Sequence, residues 1–297
     1  MENLQQLRSL VTEGKKKTCA VACAHDAHTL EAILTMRNEN LMDCLLVGHG
    51  HEILRIAREH GYTVKDSEIL EAATDEEAAE VCVQLVRQGK AGFILKGLLN
   101  TGTLLKAVVN KQTGLNTGSV ISHFVLLQLP GYHKLLGIAD SGMIPHPDLE
   151  TKKAIVLNSV DALQRLGCEK PLVSALCAAE TVSPKIQETV DAAALKAACA
   201  AGELGNCYLE GPISFDLAMN PQSATVKRYE SPVVGNSDLL LVPDLACGNI
   251  MVKAMLQYAG ALMAGCVIGA KCPIALISRS ASYEEKYYSL LLCALIS

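Results

Sequence analysis

A run near the carboxyl end, Ile277-Ser278-Arg279-Ser280-Ala281-Ser282-Tyr283-Glu284-Glu285, places hydroxyls, a guanidinium and two carboxylates where a predicted strand gives way to a predicted helix. Backbone N–H groups at a helix start have no intrahelical partner and attract anions. A planar guanidinium fits the oxygens of a phosphate or carboxylate. Such a set could hold a phosphate-bearing substrate and keep an acid–base group beside it. The same residues also read in a second way. Ser282 and Glu285 have the S-x-x-E spacing of a capping box, so Glu285 stands open between a helix cap and a proton-transfer role.

Three further segments carry comparable chemistry. Lys96-Gly97-Leu98-Leu99-Asn100-Thr101-Gly102-Thr103, running on to Lys106, is a glycine-and-hydroxyl loop leading into a helix. It could cradle an anion, although the Walker order is absent and an ordinary strand-to-helix turn explains it as well. Gly114-Leu115-Asn116-Thr117-Gly118, followed by Ser122 and His123, suits a tight turn near a ligand or a plain surface hairpin. Val242-Pro243-Asp244 continues into Gly248-Asn249, where an acid and a Gly-Asn pair reach a helix start as ligands or, at Asn249, as a simple cap. Two histidine pairs, His25 with His28 and His49 with His51, fall on loops without a completing carboxylate or cysteine and read as solvated. No cluster has metal-ligand spacing, so no metal is expected.

The elements that must position these groups alternate in type. Thr18–Ala24, Cys44–Val47, Ala91–Leu95, Lys134–Ala139, Val173–Cys177, Cys207–Glu210, Leu239–Val242 and Pro273–Ile277 read as strands. Helical spacing lies between most of them, as in His28–Asn38, His51–His60, Asp75–Gln88 and Leu149–Leu166, and ends with Tyr283–Ile296. This alternation predicts an α/β protein with mostly parallel strands. Ligands of such sheets bind beyond the carboxyl ends of strands. That rule selects Lys96-Gly97, Asp140-Ser141, Glu210-Gly211, Pro243-Asp244 and Ser278-Arg279.

Composition narrows the class. The 297 residues are 50% hydrophobic with no Trp and three Phe, so Ala, Leu, Val and Ile form the apolar mass. That mixture suits buried parallel strands and packed helices. A net charge of −5 argues against a nucleic-acid partner, which normally needs a basic face. The twelve cysteines include no C-x-x-C pair and read as reduced core residues of a cytoplasmic protein. The amino-terminal stretch has no apolar run resembling a signal peptide. Ala254–Ala270 is apolar but short for a bilayer, and reads as a buried helix running into a loop.

Taken in order, KGLLNTGTLLKAVVNKQTGLNTG from Lys96, SHF at Ser122, IADSG at Ile138, EGPISFDLAM from Glu210, PDLACGNIM at Pro243 and SRSAS at Ser278 resemble the phosphate acetyl/butyryltransferase family. The first block is closer to the butyryl branch. The resemblance implies a two-domain α/β fold with an interdomain cleft, like isocitrate and isopropylmalate dehydrogenases. Residues 1–124 plus 268–297 would form one domain and 125–267 the other. It implies reversible transfer of a short-chain acyl group, butyryl or similar, between coenzyme A and phosphate. Acyl-CoA, phosphate and acyl phosphate would be the partners, coenzyme A a substrate, and a homodimer the usual assembly, with no metal or nicotinamide. Ser278 would donate to the reacting centre and Arg279 hold phosphate. The acid would be Glu285 by the acetyl branch and Glu284 by the butyryl branch. Lys96, Gly97, Asn100, Thr101, Lys106, Thr117, Ser122, His123, Asp140, Asp244, Gly248 and Asn249 would contact coenzyme A or substrate. Asn116 stands where the butyryl branch often has Arg, and Lys106 where the acetyl branch has Arg. Two other readings remain: a non-catalytic protein that binds coenzyme A or acyl-CoA, and a metal- and nicotinamide-dependent dehydrogenase of the same fold class.

Overall fold

A computed structural model describes residues 1–277 and 281–297. The chain separates into two compact units. A terminal unit comprises residues 4–119 and 264–297, and a central unit residues 1–3 and 120–263.

The terminal unit opens with α1 (Gln5–Glu13), β1 (Lys17–Ala22), α2 (Ala27–Asn38), β2 (Met42–Gly48) and α3 (Gly50–Glu59). It continues through β3 (Ile69–Glu71), α4 (Asp75–Arg87), β4 (Phe93–Lys96) and α5 (Thr101–Val108). Strand β1 is flanked by β2 and β4, and β2 by β3, all parallel. Helix starts are fixed locally. The Asp26 carboxylate accepts from Thr29 N at 2.8 Å to cap α2, and the Thr74 hydroxyl accepts from Glu77 N at 3.1 Å to cap α4.

The central unit holds β5 (Ser122–Gln128), β6 (Leu136–Ala139), α6 (Leu149–Arg165), β7 (Leu172–Leu176), α7 (Gln187–Ala200) and β8 (Tyr208–Ile213). Next come α8 (Phe215–Met219), α9 (Pro221–Lys227), β9 (Leu239–Leu241) and α10 (Leu245–Tyr258). Its strand order is β5-β6-β9-β7-β8, parallel except for β5, which runs antiparallel to β6. The carboxyl ends of β6, β9, β7 and β8 therefore share one edge, and β5 begins at that edge with Ser122. Val125, Leu127, Leu136, Ile138, Leu240 and Val242 form the buried sheet side of its core.

The chain then makes β10 (Leu262–Ile268), β11 (Ile274–Ala275) and α11 (Tyr283–Ile296). Strand β11 pairs parallel with β4 and antiparallel with β10. The expected α/β class with mostly parallel strands is the class observed. Ala254–Ala270 departs from its expected helix: α10 ends at Tyr258 and β10 starts at Leu262. A continuous apolar run has no period to separate a buried helix from a buried strand, and the Ala259-Gly260 turn divides the segment. Strands β3 and β5 are likewise not legible in the sequence, for the same reason in β5 and for shortness in β3. Among the described residues no helix is long and apolar enough to cross a membrane. Nine of the twelve cysteines are buried and none is paired. Burial pushes thiols such as Cys44 up to about 12, so they behave as small core hydrophobes rather than nucleophiles.

Candidate functional site

In the terminal unit, β4 ends on Lys96, and the chain bends at once through Gly97. A Cβ at Gly97 would lie 2.3 Å from Cys23 O and 2.6 Å from Ala22 O, so only glycine lets the loop cross the end of β1 this closely. The Lys96 ammonium donates to Gly97 O at 3.1 Å and Leu99 O at 3.0 Å, folding its charge over its own loop. The loop borders a cavity of about 170 Å³. Its wall includes Lys96, Gly97, Leu98, His28, Lys286 and Ile277. Two lysines therefore face one small space beyond the ends of β1, β4 and β11. Ile277 directly precedes Ser278 and Arg279, which lie outside the described residues. His28, expected to be a plain solvated residue, is exposed and lines this cavity from the first turn of α2.

Asn100 precedes α5 as its cap residue but makes no side-chain cap bond; like Thr101 it is exposed. Lys106 is exposed in the last turn of α5. The Gly114–Gly118 turn is tied back to the end of β10. Thr117 Oγ1 donates to Gly269 O at 2.6 Å, and Asn116 forms an isolated antiparallel bridge with Ala270. The Asn116 side chain itself accepts from Gly118 N at 2.6 Å, so here it shapes the turn.

The start of α11 forms the capping box that its sequence spacing allows. Ser282 Oγ accepts from Glu285 N at 3.1 Å, and Glu285 Oε2 accepts from Ser282 N at 3.3 Å, which completes the capping box. Glu285 is half-buried, and burial raises its carboxyl above the ordinary range. Glu284 is exposed. A cap and a proton-transfer role are compatible for Glu285, because the box engages only one of its two oxygens.

The central unit gathers a second set at the carboxyl edge of its sheet. Asp140, 2% exposed, follows β6. Its Oδ1 accepts from Gly142 N at 2.7 Å and Met143 N at 2.9 Å, and its Oδ2 from His123 N at 3.2 Å. Three amide donors thus organise a buried carboxylate, and the carboxylate in turn fixes the turn that carries Ser141. His123, at the start of β5, meets Ser141 Oγ through Nδ1 at 2.9 Å. Desolvation lowers the His123 imidazole below its usual range, with the Asp140 charge opposing, so the ring is neutral near pH 7. Ser122 is fully buried, and its hydroxyl accepts from Asn158 Nδ2 at 3.1 Å. Asn249 Nδ2 donates to Ser141 O at 3.2 Å. Gly248 is required beneath the turn, since a Cβ there would lie 2.7 Å from Asp140 O. The cap expected at Asn249 falls instead on Asp244, which caps α10 by accepting from Cys247 N at 2.8 Å, because the helix already starts at Leu245.

Ser122, His123, Asp140, Gly248 and Asn249 are therefore brought together, with Asp244 one helical turn before Gly248. Lys96 and Gly97 share a cavity, while Asn100, Thr101 and Lys106 are exposed beyond it. Ser141 was selected in the sequence only by its place directly after a strand, and Asn158 and Lys286 were not selected. Asn158 and Lys286 lie inside helices, where nothing local marks them. Among the described residues no group of three or more histidines, cysteines and carboxylates could hold a metal.

Comparison with known proteins returns a family model described as phosphate acetyl/butaryl transferase, which matches residues 76–294. A phosphate butyryltransferase from Clostridium acetobutylicum is 34% identical over 297 residues, covering 100% of this chain and 99% of the relative. A phosphate acetyltransferase from Thermotoga maritima is 34% identical over 287 residues, covering 97% of each. Among solved structures, a branched-chain phosphotransacylase from Enterococcus faecalis V583 superposes with a TM-score of 0.82 at 27% identity, covering 94% of this chain and 99% of that one.

Proposed function

Because the chain belongs to the phosphate acetyl/butyryltransferase family, we propose that it is an acyltransferase whose preferred acyl group has three to five carbons. It transfers an acyl group reversibly between coenzyme A and phosphate. The observation that carries this reading is the end-to-end match to a phosphate butyryltransferase.

The residues fall into roles that the reaction requires. A phosphate oxygen attacks the thioester carbonyl, the carbonyl oxygen gains charge, and the thiolate leaves. In reverse, the coenzyme A thiol, which titrates near about 8.5, loses its proton before attacking acyl phosphate. Arg279 would hold the phosphoryl oxygens and Ser278 donate to the reacting centre. Glu285 would take the thiol proton, with Glu284 as its rival. A carboxyl raised by burial is a stronger base than an ordinary glutamate. Lys96 and Lys286 supply positive charge for anionic groups of the substrates. Coenzyme A is a substrate in this scheme and no further cofactor enters it. A homodimer in the cytoplasm is part of the same reading, and light scattering in solution tests the assembly.

The decisive experiment measures free thiol released from acetyl-, propionyl-, butyryl- and branched acyl-CoA with and without phosphate. Release that depends on phosphate, graded by roughly 0.8 kcal/mol per methylene towards butyryl, is the expected result. Release without phosphate, or binding without release, would refute the transferase. A clear preference for acetyl-CoA would refute the chain-length assignment alone.

A further inference from the structure

The hydrogen between His123 Nδ1 and Ser141 Oγ belongs to one of the two atoms, and the surroundings decide which. Ser141 is 3% exposed, and among the described residues Nδ1 is the partner its hydroxyl meets. If Nδ1 carried the proton, the hydroxyl hydrogen would be buried without an acceptor, which buried polar groups avoid. With the hydroxyl donating, its hydrogen is satisfied and Nδ1 is the acceptor. The ring proton of the neutral imidazole then sits on Nε2. Among the described residues Nε2 makes no hydrogen bond to the protein, which leaves its N–H available to a ligand.

The pair has little freedom to rearrange. Asp140 binds the amides on both sides of it, at His123 and at Gly142 and Met143. Gly142 packs on the ring so closely that a Cβ there would lie 2.8 Å from Nδ1. Asn249 holds the Ser141 carbonyl. A fixed N–H is thus presented at the carboxyl edge of the sheet, where ligands of α/β proteins bind.

We propose that Ser141 is a positioning residue that locks His123 as the Nε2–H tautomer, and that this N–H donates to the carbonyl oxygen of the acyl group in transfer. The proposal rests on the acyl-transfer reading. A donor set in advance stabilises the oxygen that gains charge in the tetrahedral transition state. The neighbouring Asp140 carboxylate favours a carbonyl oxygen over a phosphate here, since it repels a full anion more than a developing one. Neutrality of the ring serves the same end, because the donor keeps its proton throughout.

Nitrogen-15 NMR of the imidazole and kinetics of the same variants test this. In the wild type, Nδ1 is expected to be unprotonated and Nε2 protonated, and Ser141→Ala is expected to shift the ring to a tautomer mixture. His123→Asn, which has no donor at the Nε2 position, should lower kcat about 10²-fold with little change in KM, the loss typical of one oxyanion donor. His123→Gln, whose amide nitrogen can reach the Nε2 position, should recover part of it. A protonated Nδ1 in the wild type overturns the tautomer assignment without any variant. A wild-type Nε2–H together with an unchanged kcat in His123→Asn overturns the donor role. If the wild type transfers no acyl group, the functional reading and the donor role both fail, while the tautomer measurement still stands by itself.

Discussion

The two sets of functional residues are built on opposite principles. Around Lys96 the terminal unit offers a small cavity with Lys96, Lys286 and Asp26 on its wall and a loop held by the Lys96 ammonium. Around Asp140 the central unit offers neutral donors, a buried carboxylate held by three amides and, among the described residues, no positive charge hydrogen-bonded to it. The first arrangement attracts anions with little geometric demand. The second fixes atoms to within a hydrogen bond and attracts no anion. Charge suits the holding of a polyanionic carrier, whereas a preset donor suits a carbonyl that bears no charge at the outset.

Variants can separate these principles. The largest effect is expected at Glu285. Glu285→Gln keeps an oxygen that can accept from Ser282 N, so the capping box and the melting temperature should survive. As general base its loss should lower coenzyme A acylation about 10²–10⁴-fold and remove the acidic limb of the pH–rate profile. A normal rate in Glu285→Gln with a lost rate in Glu284→Gln would move the base by one residue.

Asp140→Ala should be the most damaging to stability. It strands three amides in a buried turn, and denaturant unfolding should show a loss of about 3–5 kcal/mol. If the protein unfolds normally, the turn is held by something other than its carboxylate. Lys96→Met should raise KM for acyl-CoA about tenfold, about 1.4 kcal/mol, while leaving kcat nearly unchanged, because it removes charge rather than geometry. A fall in kcat at unchanged KM would show that the two regions are less distinct than their chemistry suggests.

The smallest effect concerns pH. Burial lowers the imidazoles of His25 and His123, so the folded state binds their protons less well than the unfolded chain, whose histidines titrate near about 6.5. Their contribution to stability is complete above that value and declines as pH falls through the depressed folded range. Melting temperature should therefore drop below about pH 6.5, less steeply in His123→Asn. An equal slope in both proteins would mean that His123 is not part of the effect.

What the sequence determined was whatever depends on neighbours along the chain. Strand–helix alternation specified parallel α/β units. Ser282 with Glu285 announced a cap that forms as spaced, because a cap joins groups three residues apart, whereas the cap expected at Asn249 falls instead on Asp244. The position of Lys96-Gly97 at a strand end was legible by local order alone, and the structure places both on the wall of a cavity. The family blocks pointed to the reaction, and two of the residues in them, Ser278 and Arg279, lie outside the described residues. Only the tertiary structure decided that β5 runs antiparallel beside β6 and so brings His123 onto Ser141, eighteen positions away. Likewise, Asn158 reaches Ser122 from α6 across thirty-six positions. No local pattern encodes such contacts. They arise because strand pairing sets the register of distant segments, and because a buried carboxylate such as Asp140 must collect its donors from wherever the fold supplies them.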